Sequence, residues 1–288
     1  MKPSEQKRAL ASAVKAAHAA GQLMRQNLQV AKKVNEVTLH DIKLELDVRC
    51  QKLIERILLA SFPKISVVGE EGSSGDPNSE QRWVIDPIDG TVNFTYGIPH
   101  ACVSIALQTK SDECRVTGDG NRSRERTRLR VTRHTPHVTL LGVVYDPFQD
   151  ELWTAIRGKP ARLNGQIIRV SKRRELGETV VVTGFSKTAE TLSEALPYFN
   201  KLVHRVRKVR IMGSAALALT YVATGRFDAY IEKGISLWDI AAGGLIIECA
   251  GGEFWRKPIP GEHKFQMIAS NGLLRKKLAS FGRFKGGK

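Results

Sequence analysis

The chain has 288 residues, a length at which a sequence buries enough apolar surface to fold without disulfides. Hydrophobic residues make up 42% and charged residues 26%, a balance that excludes wholesale disorder and a fibrous repeat. The formal net charge is +16, and a positive field of this size attracts anions such as phosphorylated metabolites, nucleic acid or acidic lipid.

The basic excess lies mostly in the last third of the chain, because residues 200–288 hold 16 basic and 6 acidic residues. The four cysteines form no CxxC pair, which argues against a zinc finger and favours free thiols in a reducing cytosol. No apolar run approaches the ~18 residues of a membrane span, and the N-terminus lacks the apolar core of a signal peptide. We therefore expect a cytoplasmic protein without a membrane anchor.

Helices and strands are predicted to interleave along the whole chain. Apolar spacing predicts helices over 4–28, 47–60, 188–200, 213–224, 238–250 and 272–281. Runs of β-branched and aromatic residues predict strands at 65–68, 83–85, 101–109, 140–145, 151–156, 180–183, 205–212, 227–232 and 266–270. The composition of 72–78 predicts a loop. Such interleaving indicates an α/β or mixed, layered α+β fold.

Acidic residues stand at three points where a predicted strand meets a loop or a helix: Glu70-Glu71, Asp86 with Asp89, and Asp239. Because Pro87 keeps Asp86 out of the helical region, we expect the strand to break at Asp86, with Asp89 pointing back to the same space. Taken singly, Glu70 or Asp239 is more often a turn residue or a helix cap. The pair Asp86 and Asp89 is stronger, since two adjacent acids gain nothing from each other without a cation.

Gly90 and Thr91 follow at a predicted helix start, where backbone N–H groups and the helix dipole would face an anion. Two aspartates, the carbonyl of Ile88 and an anion cradle form a site of hard oxygen ligands, which suits Mg²⁺ with substrate phosphate in its shell. The residues alone therefore predict a magnesium and anion site around residues 86–91.

Three segments resemble the signatures of the inositol monophosphatase family. They are DPIDGTVNF at 86–94, WDIAAGG at 238–244 with Gly251-Gly252 after it, and Gly69-Glu70-Glu71. The resemblance runs from about residue 5 to about residue 280, apart from a basic insertion at 111–137. It implies a layered α-β-α-β-α sandwich, as in the sugar phosphatases. The first and third motifs would lie in an N-terminal α+β half, 1–180, and the second in a C-terminal α/β half, 181–288.

The resemblance also implies the residues of the site. The ligands of two or three Mg²⁺ ions would be Glu70, Asp86, the carbonyl of Ile88, Asp89 and Asp239. Glu70 and Thr91 would position the attacking water, and Asp47 stands where the family orients its catalytic threonine. Leu44 replaces a threonine of the family, which bears on the flanking loop and on a third metal site. Substrate would contact Asp89, Gly90, Thr91, Gly213, Ser214, Ala215 and Glu232.

The implied activity is Mg²⁺-dependent hydrolysis of a phosphate monoester, without a covalent step on cysteine or histidine. Myo-inositol monophosphate is the leading substrate, because the carboxylate of Glu232 can accept hydrogen bonds from vicinal hydroxyls. Alternatives in the same superfamily are histidinol phosphate, fructose 1,6-bisphosphate and a 3′-phosphoadenosine nucleotide. Family members are commonly dimeric, so a homodimer is expected.

A different class of function is a nucleic-acid-binding regulatory protein built on the phosphatase fold. It is motivated by the net charge and by an arginine ladder in the insertion, at Arg122, Arg124, Arg126, Arg128 and Arg130. On a strand this spacing would place five guanidinium groups on one face. The ladder has no aromatic residue for base stacking, which favours a solvated extension, and the set of acids favours an enzyme.

Overall fold

The computed structural model describes residues 1–30, 32–37, 42–111, 137–185 and 189–279. Cys114 and the predicted arginine ladder of the insertion lie outside these residues. Cys50, Cys102 and Cys249 are free thiols, as predicted. Within the described ranges, the helices are all too short or too polar to cross a membrane.

Seven helices are present in the described ranges: α1 Pro3–Asn27, α2 Glu45–Ser61, α3 Thr91–Thr95, α4 Ala189–Val203, α5 Ala215–Ala223, α6 Leu237–Cys249 and α7 Arg275–Ala279. The strands of the first part of the chain are β1 Val34–Val37, β2 Ile42–Leu44, β3 Ser66–Gly69, β4 Gly72–Ser74, β5 Gln81–Asp89, β6 Cys102–Lys110, β7 His137–Asp146, β8 Glu151–Ile156, β9 Arg162–Leu163 and β10 Gln166–Ile167. Those of the second part are β11 Val180–Thr183, β12 Lys208–Arg210, β13 Ala229–Ser236, β14 Glu253–Pro258 and β15 Lys264–Ser270.

Two large sheets organise the molecule. The first has eight strands in the order β10-β9-β8-β7-β6-β5-β3-β4, antiparallel except for the parallel pair β3 and β5. The second has five strands in the order β12-β11-β13-β15-β14, with β11 parallel to both β12 and β13. The first sheet uses residues 66–167 and the second 180–270. The division into halves at residue 180 stays a prediction.

The helices cover the sheets in layers. Alternate residues of β5 face opposite sides, so that Ile85 packs in the core under α1 and α2 while Val84 packs with α5 and α6. The inner face of the second sheet shares that second core, and its outer face packs against α4 and α7. The order is therefore α-β-α-β-α, which confirms the predicted layered fold and places α5 and α6 between the two sheets.

Two sequence-based expectations about strands are wrong. The strand does not break at Asp86: β5 continues to Asp89, and the pairing with β6 shifts register between these two residues. Pro87 sits inside this bulge, where the ladder needs no donor, and the N–H of Ile88 donates to Asp86 Oδ1 at 3.1 Å. The predicted loop 72–78 begins with β4, which pairs with β3 although all three of its residues are exposed.

Other differences concern short or amphipathic segments. The strand predicted at 205–212 contracts to β12, and β14 was not predicted because Glu253–Pro258 carries charged residues and a proline. The remaining long helices and strands lie within a few residues of their predicted bounds, since their apolar periodicity is strong.

Candidate metal and phosphate site

Three aspartates converge where the first sheet meets α6. Asp86 and Asp89 come from the two sides of the bulge in β5, and Asp239 comes from the first turn of α6. Carboxylate oxygens of the three lie within 4.8 Å of one another. Ser104, the partner of Asp86 on β6, donates its hydroxyl to the carbonyl of Trp238 at 3.2 Å and so holds the start of α6 against the strands.

The carboxylates of Asp86, Asp89 and Asp239 repel one another when no cation is present. Asp86 and Asp89 are buried, with 1% and 8% of their surface exposed. Burial, followed by the charges of Glu70, Asp89 and Asp239, raises the pKa of Asp86. Burial and the neighbouring Asp89 raise the pKa of Asp239 to about 7. A divalent cation would remove this penalty, because it replaces the repulsion between carboxylates by attraction to each of them.

Asp89 is held by the start of α5. Its Oδ2 accepts the hydroxyl of Ser214 at 2.6 Å and the N–H of Ala216 at 2.6 Å, and its Oδ1 accepts the N–H of Ala215 at 3.1 Å. Burial raises the pKa of Asp89, and these hydrogen bonds oppose the rise because they favour the charged form. The predicted substrate residues Ser214 and Ala215 therefore contact a predicted metal ligand directly.

The predicted phosphate loop lies at the junction between β5 and α3. Gly90 caps α3 with φ +98°, and a Cβ there would lie 2.9 Å from the carbonyl oxygen of His100. Only glycine adopts this conformation without strain, which explains its place in the motif. Thr91 Oγ1 donates to the carbonyl of Ile88 at 2.9 Å, so that the two predicted roles, ligand and water positioner, meet in one hydrogen bond.

Glu70 lies beside the trio but is not one of its members. Its N–H donates to the carbonyl of Ile85 at 3.2 Å, which places it at the end of β3 next to β5. It is close enough for its charge to raise the pKa of Asp86. The adjacent N–H of Glu71 donates to Gln51 Oε1 at 3.0 Å and fixes the turn. Glu70 is therefore placed to act on the same space as the aspartates.

Glu232 and Asp47 lie on other elements. Glu232 is on β13, where it accepts the hydroxyl of Tyr230 and lies so close to Gly184 that a Cβ at Gly184 would overlap its carboxylate. Asp47 is buried in α2, and its Oδ2 accepts the N–H of Leu44 at 2.8 Å. The structure thus shows Asp47 as an N-terminal capping residue, and its predicted action on Thr91 stays a prediction.

Gly213 is joined to the phosphate loop by Asn93, a residue without a predicted role. Asn93 Nδ2 donates to the carbonyls of His100 and Met212, each at 2.9 Å. Gly213 has φ +74°, and a Cβ there would lie 2.8 Å from that same Nδ2. Asn93 stands inside the DPIDGTVNF motif, which was the available signal, but only the fold shows that it bridges to residue 212.

Lys264 is a second residue that was missed. Its Nζ donates to Ser236 Oγ at 2.7 Å, and its charge lowers the pKa of Asp239 against the larger effect of burial. No motif marks this lysine, because it is the pairing of β13 with β15 that places Lys264 opposite Ser236 at the start of α6.

These donors fit a metal ion. The carboxylates of Asp86, Asp89 and Asp239 offer oxygen ligands within 4.8 Å of one another, and Asp86 and Asp89 are buried where their charges need compensation. Among the described residues, it is the one group of three or more acidic, histidine or cysteine side chains whose ligand atoms lie within 4.8 Å of one another.

Comparisons with known proteins agree with the motifs. The sequence profile described as inositol monophosphatase family matches residues 5–114 and 134–266. Nus factor SuhB of Pasteurella multocida is 37% identical over 248 residues, which cover 83% of this chain and 82% of the relative. Inositol monophosphatase 1 of Solanum lycopersicum is 35% identical over 250 residues, covering 84% and 82%. The crystal structure of extragenic suppressor protein suhB from Bartonella henselae has a TM-score of 0.80 at 31% identity and covers 96% of this chain and 98% of that chain.

Proposed function

This chain belongs to the inositol monophosphatase family, and we propose that it is a Mg²⁺-dependent phosphomonoesterase that hydrolyses myo-inositol monophosphate to inositol and phosphate. The observation that carries the proposal is the convergence of Asp86, Asp89 and Asp239, whose buried oxygens lie within 4.8 Å of one another. Two or three Mg²⁺ ions would be held by Glu70, Asp86, the carbonyl of Ile88, Asp89 and Asp239.

The bound ions would supply a water of lowered pKa and neutralise the phosphate oxygens during in-line attack. Glu70, beside Asp86, would orient that water and accept its proton, and the hydroxyl of Thr91 would hold it from the other side. The N–H groups of Gly90 and Thr91 open α3 and would bind the phosphate oxygens. Asp47 is retained as a positioning residue for Thr91 on the family resemblance alone.

Recognition of the polyol would fall to Glu232 and to the segment from Gly213 to Ala215. Glu232 lies beside the hydroxyl of Tyr230, so its carboxylate is held while it accepts hydrogen bonds from two ring hydroxyls. Replacing Glu232 by Gln is expected to raise KM or lower kcat for inositol 1-phosphate. If neither constant changes, Glu232 does not recognise the polyol.

The activity is tested by phosphate release from a panel of substrates. The panel holds inositol 1-phosphate, histidinol phosphate, fructose 1,6-bisphosphate and a 3′-phosphoadenosine nucleotide, each with Mg²⁺ and with EDTA. We expect Mg²⁺-dependent turnover of inositol 1-phosphate that is lost in Asp89→Asn and kept in Asp76→Asn, which removes the same charge from an exposed loop. If another compound of the panel is hydrolysed instead, that compound is the substrate. If no compound releases phosphate although Mg²⁺ is bound, the proposal is overturned.

A second candidate is a polyanion-binding regulatory role for the same fold. Two observations favour it: the relative in Pasteurella multocida is named a Nus factor, and the chain carries a net charge of +16. The arginine ladder is the expected contact. Deleting 121–133 should abolish RNA binding at moderate salt and leave phosphate release intact. If binding survives the deletion, the ladder hypothesis fails.

The remaining expectations concern assembly and location. We propose a cytoplasmic homodimer, following the resemblance to the family. Sedimentation equilibrium should give about twice the chain mass of 31.9 kDa. A single-chain mass at micromolar concentration would contradict the proposed dimer.

A further inference from the structure

A second group of charged residues gathers at the end of the first sheet opposite to the aspartates. Arg82 on β5 pairs with Gln108 on β6, which pairs with Thr139 on β7. Two positions further along β6 and β7, Lys110 pairs with His137. Because residues two apart share a face, Arg82, Lys110 and His137 all project from the same side of the sheet. That side is the one that carries Val84 against α6.

The second sheet adds an arginine from the opposite direction. Arg256 lies on β14, on the same face as Phe254, whose ring occupies the space where a Cβ of Gly244 in α6 would fall. Arg256 therefore enters the layer between the sheets, toward the residues aligned across the first sheet: Arg82, Gln108 and Thr139. Arg157 follows β8 and donates its Nε to the carbonyl of Thr139 at 2.7 Å. Its guanidinium therefore lies beside the residues aligned with Arg82.

Few carboxylates balance this group. Arg157 Nη2 pairs with Glu248 Oε2 at 3.0 Å, and Glu262, 91% exposed, lies 3.6 Å from His263. Arg82 Nε donates to the neutral Gln108 Oε1 at 3.0 Å, and the guanidinium of Arg256 lies 5.0 Å from the centre of the Phe265 ring. Within the described part of the chain, neither Arg82 nor Arg256 has an ion pair with a carboxylate.

These groups titrate below their usual pKa values, first because they are buried and then because like charges lie near them. Burial and the neighbouring Arg256 lower the pKa of Arg82 to about 10. Burial, then Arg82, Lys110 and Arg256, lower the pKa of His137 to about 4. Burial and Arg82 also lower the pKa of His263. Each shift has the sign that an anion at this place would reverse.

We propose that these six residues (Arg82, Lys110, His137, Arg157, Arg256 and His263), which we call the arginine cluster, bind a small phosphate-class oxyanion. Arg82 and Arg256 enter the layer from facing sheets, and the planar donors of a guanidinium group suit the oxygens of a phosphate group. Arg82 precedes Asp86 by four residues on β5, so Arg82 lies roughly 13 Å along the strand from the carboxylates. His263 lies nearer to the start of α6, where its ring is 6.0 Å from that of Trp238. The arginines therefore form a site separate from the carboxylates, and phosphate binding there does not depend on the proposed phosphatase activity.

The test is equilibrium dialysis of the full chain against ³²P-labelled inorganic phosphate. EDTA is present, so that the carboxylate site repels phosphate, and NaCl keeps the ionic strength constant. We expect saturable binding of about one phosphate per chain, weakened at least tenfold in Arg82→Gln and in Arg256→Gln. Arg207→Gln is the matched control, because it removes an exposed arginine beside β12, at the opposite edge of the second sheet from β14. It should bind phosphate as the wild type does.

Two results would overturn the proposal: uptake that rises linearly without saturation, and equal affinity in the wild type and both cluster variants. Competition by glycerol phosphate would identify an esterified phosphate as an accepted ligand, while competition by inorganic phosphate alone would restrict the site to the free ion.

A measurement on the unaltered protein guards against variants that fail to fold. Phosphate bound at the arginine cluster should raise the pKa of His137 from about 4, as followed by the NMR titration of its imidazole protons. His204 is the internal control, because it lies at the far side of the second sheet, after α4. An unchanged His137 titration at saturating phosphate would contradict binding at this place.

Discussion

At the scale of single residues, Asp89 connects the two parts of the chain. It belongs to β5, yet its carboxylate accepts hydrogen bonds from Ser214, Ala215 and Ala216 at the start of α5. Cys102 Sγ lies 3.7 Å from the same Oδ2. The carboxylate of Asp89 is thus oriented by groups more than a hundred residues away in sequence, as its proposed role as a metal ligand requires.

Ser214→Ala is expected to weaken this preparation. Loss of a buried hydrogen bond to a charged group costs about 1.5–3 kcal/mol, so the free energy of unfolding should fall by that amount and the apparent Mg²⁺ affinity with it. Thermal unfolding in EDTA and a Mg²⁺ titration would measure both effects.

Thr220→Ala is the control for Ser214→Ala. Its hydroxyl is also buried in α5 but donates to the carbonyl of Leu217 at 2.8 Å, away from Asp89. It should lower stability without changing the Mg²⁺ affinity. Equal Mg²⁺ affinities in Ser214→Ala and the wild type would show that Ser214 does not orient Asp89.

At the scale of elements, the site is built from irregularities in regular structure. The bulge in β5 turns both Asp86 and Asp89 to the same side, although a regular strand would put residues three apart on opposite faces. The strand then passes directly into α3 through Gly90. Asp239 instead uses a regular feature, since its Oδ2 accepts the N–H of Ser236 at 2.9 Å as the acidic member of a capping box.

Gly90→Ala should disturb the junction between β5 and α3. The added methyl group would meet the carbonyl of His100 at 2.9 Å in a left-handed conformation, which together cost about 1–3 kcal/mol. We expect a lower melting temperature and a large loss of phosphate release, since the N–H groups of α3 would move.

Gly158→Ala is the control that distinguishes the effect of backbone strain from the effect of the steric clash in Gly90→Ala. It has φ +81° with open space around the new methyl group, so it carries the strain without the contact and lies in the turn after β8. It should lower the melting temperature less and leave activity intact. If Gly90→Ala keeps wild-type kcat, the loop does not need its present conformation for catalysis.

At the scale of the whole molecule, charges of opposite sign are separated along α6. The aspartates lie at its start, and Glu248 near its end is paired with Arg157 of the arginine cluster. The layer between the sheets thus brings together residues that carry negative charge at one end and positive charge at the other. Within the described part of the chain, Asp86, Asp89 and Asp239 at one end, and Arg82 and Arg256 at the other, form no ion pair with a group of opposite charge.

The dependence of stability on pH follows from the raised pKa of Asp239. Its value rises from 3.8 to about 7 on folding, so the folded protein holds a proton that the unfolded chain releases. In EDTA this contribution is complete below about pH 4 and is lost as the pH rises to about 7. Saturating Mg²⁺ should reverse the trend, because it binds the deprotonated carboxylates.

The measurement compares urea unfolding of the wild type and Asp239→Asn between pH 4 and pH 7.5. Histidines whose pKa burial lowers, such as His137, act in the opposite sense, and subtracting the variant removes their contribution. The wild type should lose stability relative to Asp239→Asn as the pH rises. A difference that stays constant with pH would show that Asp239 titrates at its usual value.

The amino-acid sequence was sufficient to predict the fold class, the long helices and strands, and a site of acidic metal ligands. Periodicity of 3.6 or 2 is a local property, so α1, α6 and β6 were predicted within a few residues. The adjacent Asp86 and Asp89 indicated a cation because neighbouring acids repel, and the order of the three motifs indicated the family. A strand break at Asp86 was predicted from the restricted backbone of Pro87, and it is absent because a bulge in β5 accommodates the proline.

Which distant residues are in contact depends on how the folded chain packs. Asn93 donates to the carbonyl of Met212, the charge of Lys264 lowers the pKa of Asp239, and the charge of Arg256 lowers that of Arg82. These contacts depend on strand register and on how two sheets pack on one helix layer, and neither leaves a periodic signal in the sequence. The physical reason is that the periodicity of helices and strands arises from interactions over a few residues, whereas contacts between distant side chains exist only in the folded chain.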